Sequence, residues 1–427
     1  MRGTRLHTAA MNASDSLLAD FVEREFANQC DFLAALVKTP SDNPPGDCAP
    51  HAALAATLLT RMGFEVEEHP VPQADVQAAG MRSITNLIVR ERFAPVGPCI
   101  ALNAHGDAVP PGEGWTQEPY GATVLEDPEQ GATMYGRGVA VSKSDIATYV
   151  FALAALRDLG THGYRLRGSI ELHLTHDEEN GGMLGPRWLL ARGLSRADYA
   201  ICAGFPYAVT SAHNGCLQLE VIVHGRQAHA ASPESGADAL AAATTILQGI
   251  YDSRRHLRER RSTIRGISYP TLVVGLIAGG TNINVVPDRV AFRIDRRIIP
   301  EESLERAESQ LRSLIERAAT RHGEVRVEIR RTLAAQPLIR LAGAQRLTAA
   351  LKRHGERFFG VPIAEHGVPL YTDARHYAAA GIPTVLYGAG PRTLGEAHGH
   401  AADERLRLDD LKRATCTMAC ALAELLS

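Results

Sequence analysis

The stretch Ser-Ile-Glu-Leu-His-Leu-Thr-His-Asp-Glu-Glu-Asn-Gly-Gly, residues 169 to 182, joins an apolar strand to an acidic turn that contains two glycines. Glu178 and Glu179 are adjacent, and neighbouring carboxylates repel each other unless a positive charge offsets them. A divalent metal ion does so, because one carboxylate ligates the ion while the other accepts a proton from metal-activated water. The alternative is a solvated acidic loop after a strand, which this stretch alone does not exclude.

The segments before and after this turn alternate between helices and short apolar strands. Apolar periodicity predicts helices over 14–37, 49–62, 145–159 and 186–191, and strands over 84–89, 99–104, 169–174 and 199–202. Ser14 or Asp15 is the predicted cap of the first helix. This alternation predicts an α/β layer with a largely parallel sheet flanked by helices.

The pattern changes near Ala212, where strands begin to outnumber helices. Segments that predict the order strand, helix, strand, strand, helix, strand follow at 217–223, 233–251, 271–276, 289–298, 301–317 and 325–329. That order suggests a ferredoxin-like α+β domain. The α/β pattern then returns, with a helix at 343–354, a strand at 383–387 and a helix at 409–425. We therefore predict a discontinuous first domain, 1–211 and 331–427, interrupted by an inserted domain at 212–330.

Length and composition exclude several classes of protein. A chain of 427 residues with 45% hydrophobic residues is expected to be soluble and to have two domains. With a net charge of -3, the chain has no excess of positive charge that would indicate binding to nucleic acid or to an anionic membrane surface. No apolar run is expected to span a membrane, and residues 1–17 lack the apolar core of a signal peptide. Seven scattered cysteines fit reduced thiols in the cytoplasm.

Two other segments place imidazoles beside glycine. Ala-His-Gly-Asp ends the strand at 99–104, and because His105 and Asp107 are two residues apart, their side chains leave the same face. One of the two side chains can then ligate a metal ion, while the nearby carboxylate modifies that ligand from behind. Ala-His-Gly-His, residues 397 to 400, adds His398 and His400. The alternatives are a loop histidine with a helix-capping aspartate in the first segment and a polar surface loop in the second.

These segments belong to an ordered series of short motifs that spans nearly the whole chain. The series is His-Gly-Asp-Ala-Val-Pro at 105–110, Gly114-Trp115, Pro119, Tyr-Gly-Arg-Gly at 135–138, Asp-Glu-Glu at 177–179, Gly-Arg-Gln-Ala-His at 225–229, Gly-Gly-Thr at 279–281, Asn-Val-Val-Pro at 284–287, Asp-Arg-Arg at 295–297 and His-Ala-Ala-Asp-Glu at 400–404. Each motif is weak alone, but the ordered set is specific. The chain resembles the co-catalytic zinc hydrolases that include acetylornithine deacetylase, succinyl-diaminopimelate desuccinylase, aminoacylase and carboxypeptidase G.

The resemblance implies roles for the residues of the first domain, which would be catalytic. Glu178 would be the general base. His105, Glu179 and His400 would be metal ligands, and Asp107 would orient His105.

The resemblance also implies roles for the inserted domain, which would be a lid and a dimerisation domain in a homodimer. His229 would reach the active site of the neighbouring subunit and stabilise the oxyanion. Asn284 and Arg297 would hold a substrate carboxylate, for which the fork of an arginine is well shaped. An ordinary histidine at a strand end and a surface arginine are the alternatives for His229 and Arg297.

The chain departs from these relatives at two positions that would normally hold a second ion. Val141 stands three residues after Gly138, where the family has an aspartate that bridges two zinc ions. Phe205 stands before Pro206, where the family has an acidic residue. A second cation there would be a buried charge without carboxylate partners, which is costly.

We therefore expect one catalytic divalent ion, zinc or manganese, because a mixed imidazole and carboxylate set suits both. His398, His176 or Asp145 could replace one of the ligands His105, Glu179 and His400 or add to them. Asp145 is expected instead to be a residue of a helix N-terminus.

These residues predict hydrolysis of a C–N bond in a small carboxylate-bearing substrate, such as an N-acyl amino acid or a peptide-like amide, with Glu178 as general base. An alternative is removal of an amino group from an activated aromatic acid, because the resemblance extends to 5-nitroanthranilate aminohydrolase and Phe205 would make the pocket apolar. Another is a relative that binds a small carboxylate without turnover, although such a binder would not need Glu178. The last alternative is a hydrolase in which the metal ion is purely structural.

Overall fold

The structure is a computed structural model that describes residues 11–127 and 131–427 and divides into two compact units. The first unit contains the described residues within Met1–Ser211, Arg340–Glu365 and Thr372–Ser427. The second contains Ala212–Ile339 and His366–Tyr371. The second unit begins where the composition of the chain changes and extends beyond residue 330, because its last strand runs to Ala335.

The described chain forms helices and strands that we number in chain order. The helices are α1 (Ala13–Lys38), α2 (Ala49–Arg61), α3 (Gln73–Ala78), α4 (Ser144–Thr161), α5 (Pro186–Ala191), α6 (Ala239–Leu257), α7 (Leu304–Ala319), α8 (Ala344–Phe359), α9 (Ala374–Ala379) and α10 (Leu408–Leu425). The strands are β1 (Val66–Pro70), β2 (Thr85–Arg92), β3 (Cys99–His105), β4 (Thr123–Asp127), β5 (Gly131–Tyr135), β6 (Ser169–Thr175), β7 (Tyr199–Cys202), β8 (Ala208–His213), β9 (Gly215–His224), β10 (Thr271–Gly279), β11 (Arg289–Ile298), β12 (Arg326–Ala335), β13 (Ala364–Val368), β14 (Thr384–Leu386) and β15 (Arg405–Arg407).

The main sheet of the first unit has the strand order β1-β2-β6-β3-β7-β14-β8-β13. Its four central strands, β6, β3, β7 and β14, are parallel, whereas β1, β2 and β8 pair antiparallel with their neighbours. The predicted α/β class is confirmed, with the parallel pairing concentrated at the centre. β3 and β6 are almost wholly buried, as expected for parallel strands covered on both faces.

The register between β3 and β6 determines where the polar residues meet. His105, the last residue of β3, pairs with Thr175, the last residue of β6. Because the two strands are parallel, the chain leaves both at the same edge of the sheet, where α/β proteins place their ligand sites. The His-Gly-Asp segment and the acidic turn are therefore neighbours.

Helix α4 lies in the core of the first unit. The segment Val139–Thr161 is long and apolar enough to cross a membrane by length and composition, which corrects the expectation that no such run exists. However, 89% of its most apolar window is buried inside the protein, as in a core helix.

The N-terminus of α1 differs from the prediction. Asn12 caps the helix, because its side-chain oxygen accepts a hydrogen bond of 2.7 Å from the N–H of Asp15. The prediction of Ser14 or Asp15 as the cap was wrong. Asp15 is instead buried in the first turn.

The second unit has the predicted order of elements, β9-α6-β10-β11-α7-β12. Its antiparallel sheet has the spatial order β10-β11-β9-β12, which is the arrangement expected of a ferredoxin-like domain. Helix α6 begins after Asp238, whose carboxylate caps it, and not at Pro233 as predicted. Residues Pro233–Ser235 form a separate short turn.

Candidate metal centre

Three side chains at the carboxyl edge of β3 and β6 form a group that could bind a metal ion. One donor atom from each of His105, Glu178 and Glu179 lies within 4.8 Å of the others. One imidazole and two carboxylates are a common ligand set for a divalent ion. The sequence-predicted ligands His105 and Glu179 and the predicted base Glu178 thus lie together.

The acidic turn has an unusual backbone that points both glutamates toward this edge. Residues Glu178–Asn180 form one turn of 3-10 helix, and Asp177 before it has a left-handed φ of 111°. The carbonyl of Asp177 accepts hydrogen bonds from the N–H groups of Asn180 at 3.2 Å and Gly182 at 2.6 Å. These bonds close the turn within six residues.

Asp107 connects this turn to the other strand. Its carboxylate accepts hydrogen bonds from the N–H of Glu178 at 3.3 Å, the N–H of Glu179 at 3.2 Å and the side-chain amide of Asn43 at 3.0 Å. Burial alone would raise the pKa of Asp107, but the hydrogen bond and charge of His105 hold that pKa well below its usual range. Asp107 is therefore an anion fixed in a fully buried position.

The same carboxylate orients His105. Nδ1 of His105 lies 3.3 Å from Oδ1 of Asp107 and 3.0 Å from its backbone carbonyl oxygen. Because both neighbours are acceptors, the proton is assigned to Nδ1, which leaves the lone pair of Nε2 for a metal ion. Asp107, the predicted orienting residue, thus contacts the imidazole of His105.

Gly106, between these two residues, is required by packing. A Cβ at this position would lie 2.6 Å from Cε1 of His51 and 2.7 Å from Nε2 of His176. Nδ1 of His51 lies 3.1 Å from Nε2 of His176, and burial lowers the pKa of His176 to about 4. His176 is thus paired with His51, and it is not part of the group formed by His105, Glu178 and Glu179.

His400 reaches the acidic turn from the C-terminal part of the first unit. Its Nε2 lies 3.2 Å from Oε1 of Glu179, and this neighbour raises the pKa of His400. His398 does not share this position, because its Nδ1 is 3.0 Å from the carbonyl oxygen of Ala402 in its own loop. Of the two imidazoles, His400 is the one placed beside the predicted ligands.

The two glutamates carry the electrostatic signature of a cation site. Burial raises the pKa of Glu178 well above its usual range, and the negative charge of Glu179 adds to this rise. Oε1 of Glu179 is buried and is not satisfied by a hydrogen bond within the described part of the chain, although Nε2 of His400 lies 3.2 Å away. A divalent ion would satisfy this oxygen, so the donor set fits a metal.

The loop that contains Val141 is held by a buried ion pair. Arg137 donates to Glu404 at 2.7 Å, and the same carboxylate accepts the N–H groups of Ala140 at 3.0 Å and Val141 at 3.1 Å. A Cβ at Gly399 would lie 3.7 Å from Cγ2 of Val141. A methyl group, and not a carboxylate, thus faces the loop that carries His400. Phe205, at the other position, is partly buried.

Asp145 is neither a ligand in this arrangement nor a surface residue. It lies in the first turn of α4, as predicted, but its carboxylate is buried and accepts the N–H of Ala389 at 2.9 Å. A Cβ at Gly388 would lie 1.8 Å from its Oδ1, and burial raises the pKa of Asp145 to about 7. It joins α4 to the segment after β14.

The second unit brings two of its predicted residues together and separates the third. The N–H of Ala230, next to His229, donates to the carbonyl of Asn284 at 3.0 Å, and both predicted residues are exposed. Arg297 lies eight residues beyond Arg289 along β11, roughly 27 Å from the end of the strand nearest Asn284. Within one copy of this unit, Asn284 and Arg297 cannot bind the same small carboxylate.

Asp373 is a residue that the sequence analysis missed. It is buried before α9, and a Cβ at Gly182 would lie 1.9 Å from its Oδ1. Burial raises the pKa of Asp373 to about 7, whereas the charges of His105 and Arg375 lower it. Arg375 also donates to the carbonyl of Gly181. The acidic turn is therefore packed against α9. In the sequence, only the glycines at 181 and 182 indicate such a close contact.

Known proteins resemble this chain in sequence over most of its length. The sequence profile of "Peptidase family M20/M25/M40" matches residues 101–424. The chain is 27% identical over 372 residues to an acetylornithine deacetylase from Myxococcus xanthus, covering 86% of this chain and 90% of that protein. It is 31% identical over 214 residues to a succinyl-diaminopimelate desuccinylase from Gluconobacter oxydans, an alignment that spans 48% of this chain and about half, 50%, of that relative.

Solved structures share the fold at low sequence identity. A di-peptidase from Saccharomyces cerevisiae has a TM-score of 0.78 and 15% identity, with 97% of this chain and 99% of that chain covered. A dinuclear metal-binding peptidase from Bacillus subtilis has a TM-score of 0.66 and 18% identity, with 95% and 99% covered. These similarities confirm the fold.

Replacement of Gly182 by alanine tests the packing of the acidic turn. We expect Gly182→Ala to lower the free energy of unfolding, because the residue has a φ of +66° and its new Cβ would overlap the carboxylate of Asp373. Gly163→Ala is the matched control, since Gly163 has a φ of +86° and no atom within 4 Å. Urea denaturation should show a loss for Gly182→Ala that is larger by roughly 1–3 kcal/mol. Equal losses would show that Asp373 does not constrain the turn.

Proposed function

The chain belongs to the M20/M25/M40 peptidase family, and from that membership we propose that it is a metal-dependent hydrolase that cleaves a C–N bond in a small carboxylate-bearing amide. One observation carries the proposal. The buried carboxylate of Asp107 fixes His105 on one strand and the backbone of Glu178 and Glu179 on the next. An imidazole, a ligating carboxylate and a proton-accepting carboxylate are the parts that metal-assisted hydrolysis needs.

Each part has a role in the proposed reaction. His105, Glu179 and His400 would hold the ion, which when bound supplies Lewis acidity and lowers the pKa of water. The carboxylate of Glu178 would accept a proton from the attacking water and return it to the leaving nitrogen. Asp107 would keep His105 in one tautomer and orientation throughout.

We further propose that one ion is enough. The peptidase from Bacillus subtilis is dinuclear, whereas this chain has Val141 and Phe205 where a second ion would need carboxylates. A methyl group of Val141 faces the loop of His400, which supports the single-ion proposal. A ligand set of imidazoles and a carboxylate suits zinc or manganese.

We propose that the protein is cytoplasmic, because its seven scattered cysteines fit reduced thiols. The substrate-binding residues lead us to propose that it is a homodimer. His229 and Asn284 are adjacent at one end of the second unit, and Arg297 is at the other. If all three contact one substrate, two copies of the chain must contribute. We propose that His229 and Asn284 enter the active site of the partner, where His229 stabilises the oxyanion, while Arg297 binds the substrate carboxylate from the chain that holds the metal.

The substrate is proposed to be an N-acyl amino acid or a peptide-like amide, as the names of the curated relatives suggest. The aromatic aminohydrolase alternative has no support among these relatives. A binder without turnover is less consistent with Glu178, which lies within 4.8 Å of two potential ligands.

Removal of the proposed base should separate catalysis from metal binding. We expect Glu178→Ala to lower kcat by about 10²–10⁴-fold, because no other group would take the proton. The variant should still retain its metal, measured by elemental analysis, since His105, Glu179 and His400 are intact. Glu68→Ala, which changes an exposed glutamate of β1, is the control and should keep full activity. Unchanged turnover in Glu178→Ala would show that Glu178 is not the base.

Mixed dimers test the contribution of the partner. Glu178→Ala and His229→Ala should each be inactive alone, because every site lacks either its base or its oxyanion donor. When the two variants are produced together, random pairing should restore about a quarter of wild-type activity, since hybrid dimers contain one intact site. No recovery in hybrids verified by affinity tags would contradict a site shared between subunits.

A further inference from the structure

Three helices of the first unit bring together a second group of metal-binding side chains. Asp15 of α1, His354 of α8 and Cys420 of α10 are buried, and one donor atom from each lies within 4.8 Å of the others. None of these residues belongs to the site of His105, Glu178 and Glu179. All three are on regular helices, so their positions are set by helix packing.

His354 has the hydrogen-bond pattern of a metal-binding imidazole. Its Nε2 lies 2.9 Å from Oε2 of Glu424, and a carboxylate in that position holds the proton on Nε2. Nδ1 is buried and has no hydrogen-bond partner among residues 11–127 and 131–427. A buried nitrogen without a partner calls for an explanation.

The other two donors face this nitrogen. Oδ2 of Asp15 is 3.9 Å from Nδ1 of His354, which is too long for a hydrogen bond. Two ligands of one zinc ion would be roughly 3.4 Å apart, so a small contraction would bring both into range. The Sγ atom of Cys420 lies 4.0 Å from the backbone carbonyl oxygen of Asp15, and it is within 4.8 Å of the other two donor atoms.

Arg357 now supplies the positive charge at this cluster. It forms an ion pair with Asp15, and its side chain is 22% exposed. Because Arg357 reaches solvent, it can leave Asp15 when a cation binds. The side chain of Glu424, the partner of His354, is 36% exposed. An incoming ion would compete with Arg357 for Asp15.

We propose that Asp15, His354 and Cys420 form a distinct site for a thiolate-binding divalent ion such as zinc, with Glu424 as the supporting carboxylate of His354. One thiolate, one imidazole and one carboxylate are a ligand set that favours zinc over magnesium or calcium. The ion would join α1, α8 and α10 and so stabilise the first unit. The site is independent of the proposed catalytic reaction.

Cobalt titration tests this site, because a thiolate bound to cobalt gives a charge-transfer band in the near ultraviolet. The proposed catalytic ligands contain no thiol, so they cannot produce this band. Metal-free full-length protein titrated with Co²⁺ should develop the band, and zinc should abolish it by displacement. Cys420→Ser should lose the band, whereas Cys416→Ser, one turn earlier on α10, should keep it. His354→Asn should weaken cobalt binding at least tenfold.

Arg357→Gln should change cobalt binding, whereas a cluster that binds no metal would not respond in this way. With the competing guanidinium removed, the band should saturate at a lower cobalt concentration than in the wild type. Circular dichroism confirms that each variant is folded. The proposal is wrong if folded wild-type protein shows no band, or if the band persists in Cys420→Ser. If Cys420→Ser does not fold, the other two variants decide. The proposal is then also wrong if the wild-type band is unchanged in both His354→Asn and Arg357→Gln.

Discussion

The active-site region depends on a buried carboxylate that bridges two parallel strands. Asp107 accepts backbone hydrogen bonds from both Glu178 and Glu179, receives a third from Asn43 and faces Nδ1 of His105. Without this anion, the acidic turn and the imidazole would each have to be positioned by their own loops. Because β3 and β6 are parallel and in register, one side chain can hold both. Preorganised ligands of this kind reduce the reorganisation that metal binding and catalysis require.

The clustering of negative charge then imposes a requirement for a cation. Glu178, Glu179, Asp107 and Asp373 are close enough for their charges to affect one another, and His105 is the positive partner that recurs among the causes of their pKa shifts. A divalent ion would relieve this imbalance in the same way that Arg137 relieves the burial of Glu404 nearby. Val141 stands where the resemblance implies a bridging aspartate. A site with fewer carboxylates neutralises fewer cations, which is why we propose a single ion.

The sequence predicted the parts of the site that are close to strand ends and missed those that fold in from a distance. His105, Asp107 and the two glutamates follow apolar strands, so periodicity and the family resemblance located them. Asn43 lies between two predicted helices, and Asp373 precedes a helix too short for periodicity to detect. Their contacts depend on the strand order of the sheet, which no local pattern encodes. The placement of Asn284 and Arg297 at opposite ends of the second unit likewise follows only from the register of β9 and β11.

The central claim is that one divalent ion binds between His105, Glu179 and His400, with Glu178 beside it as proton acceptor. The most direct test is a crystal structure of metal-loaded protein with anomalous diffraction recorded at the absorption edge of the metal. We expect a single anomalous peak in contact with these three ligands, clearly separate from Asp15, His354 and Cys420. Two peaks bridged near Val141, or no peak at this position in crystals of active enzyme, would contradict it.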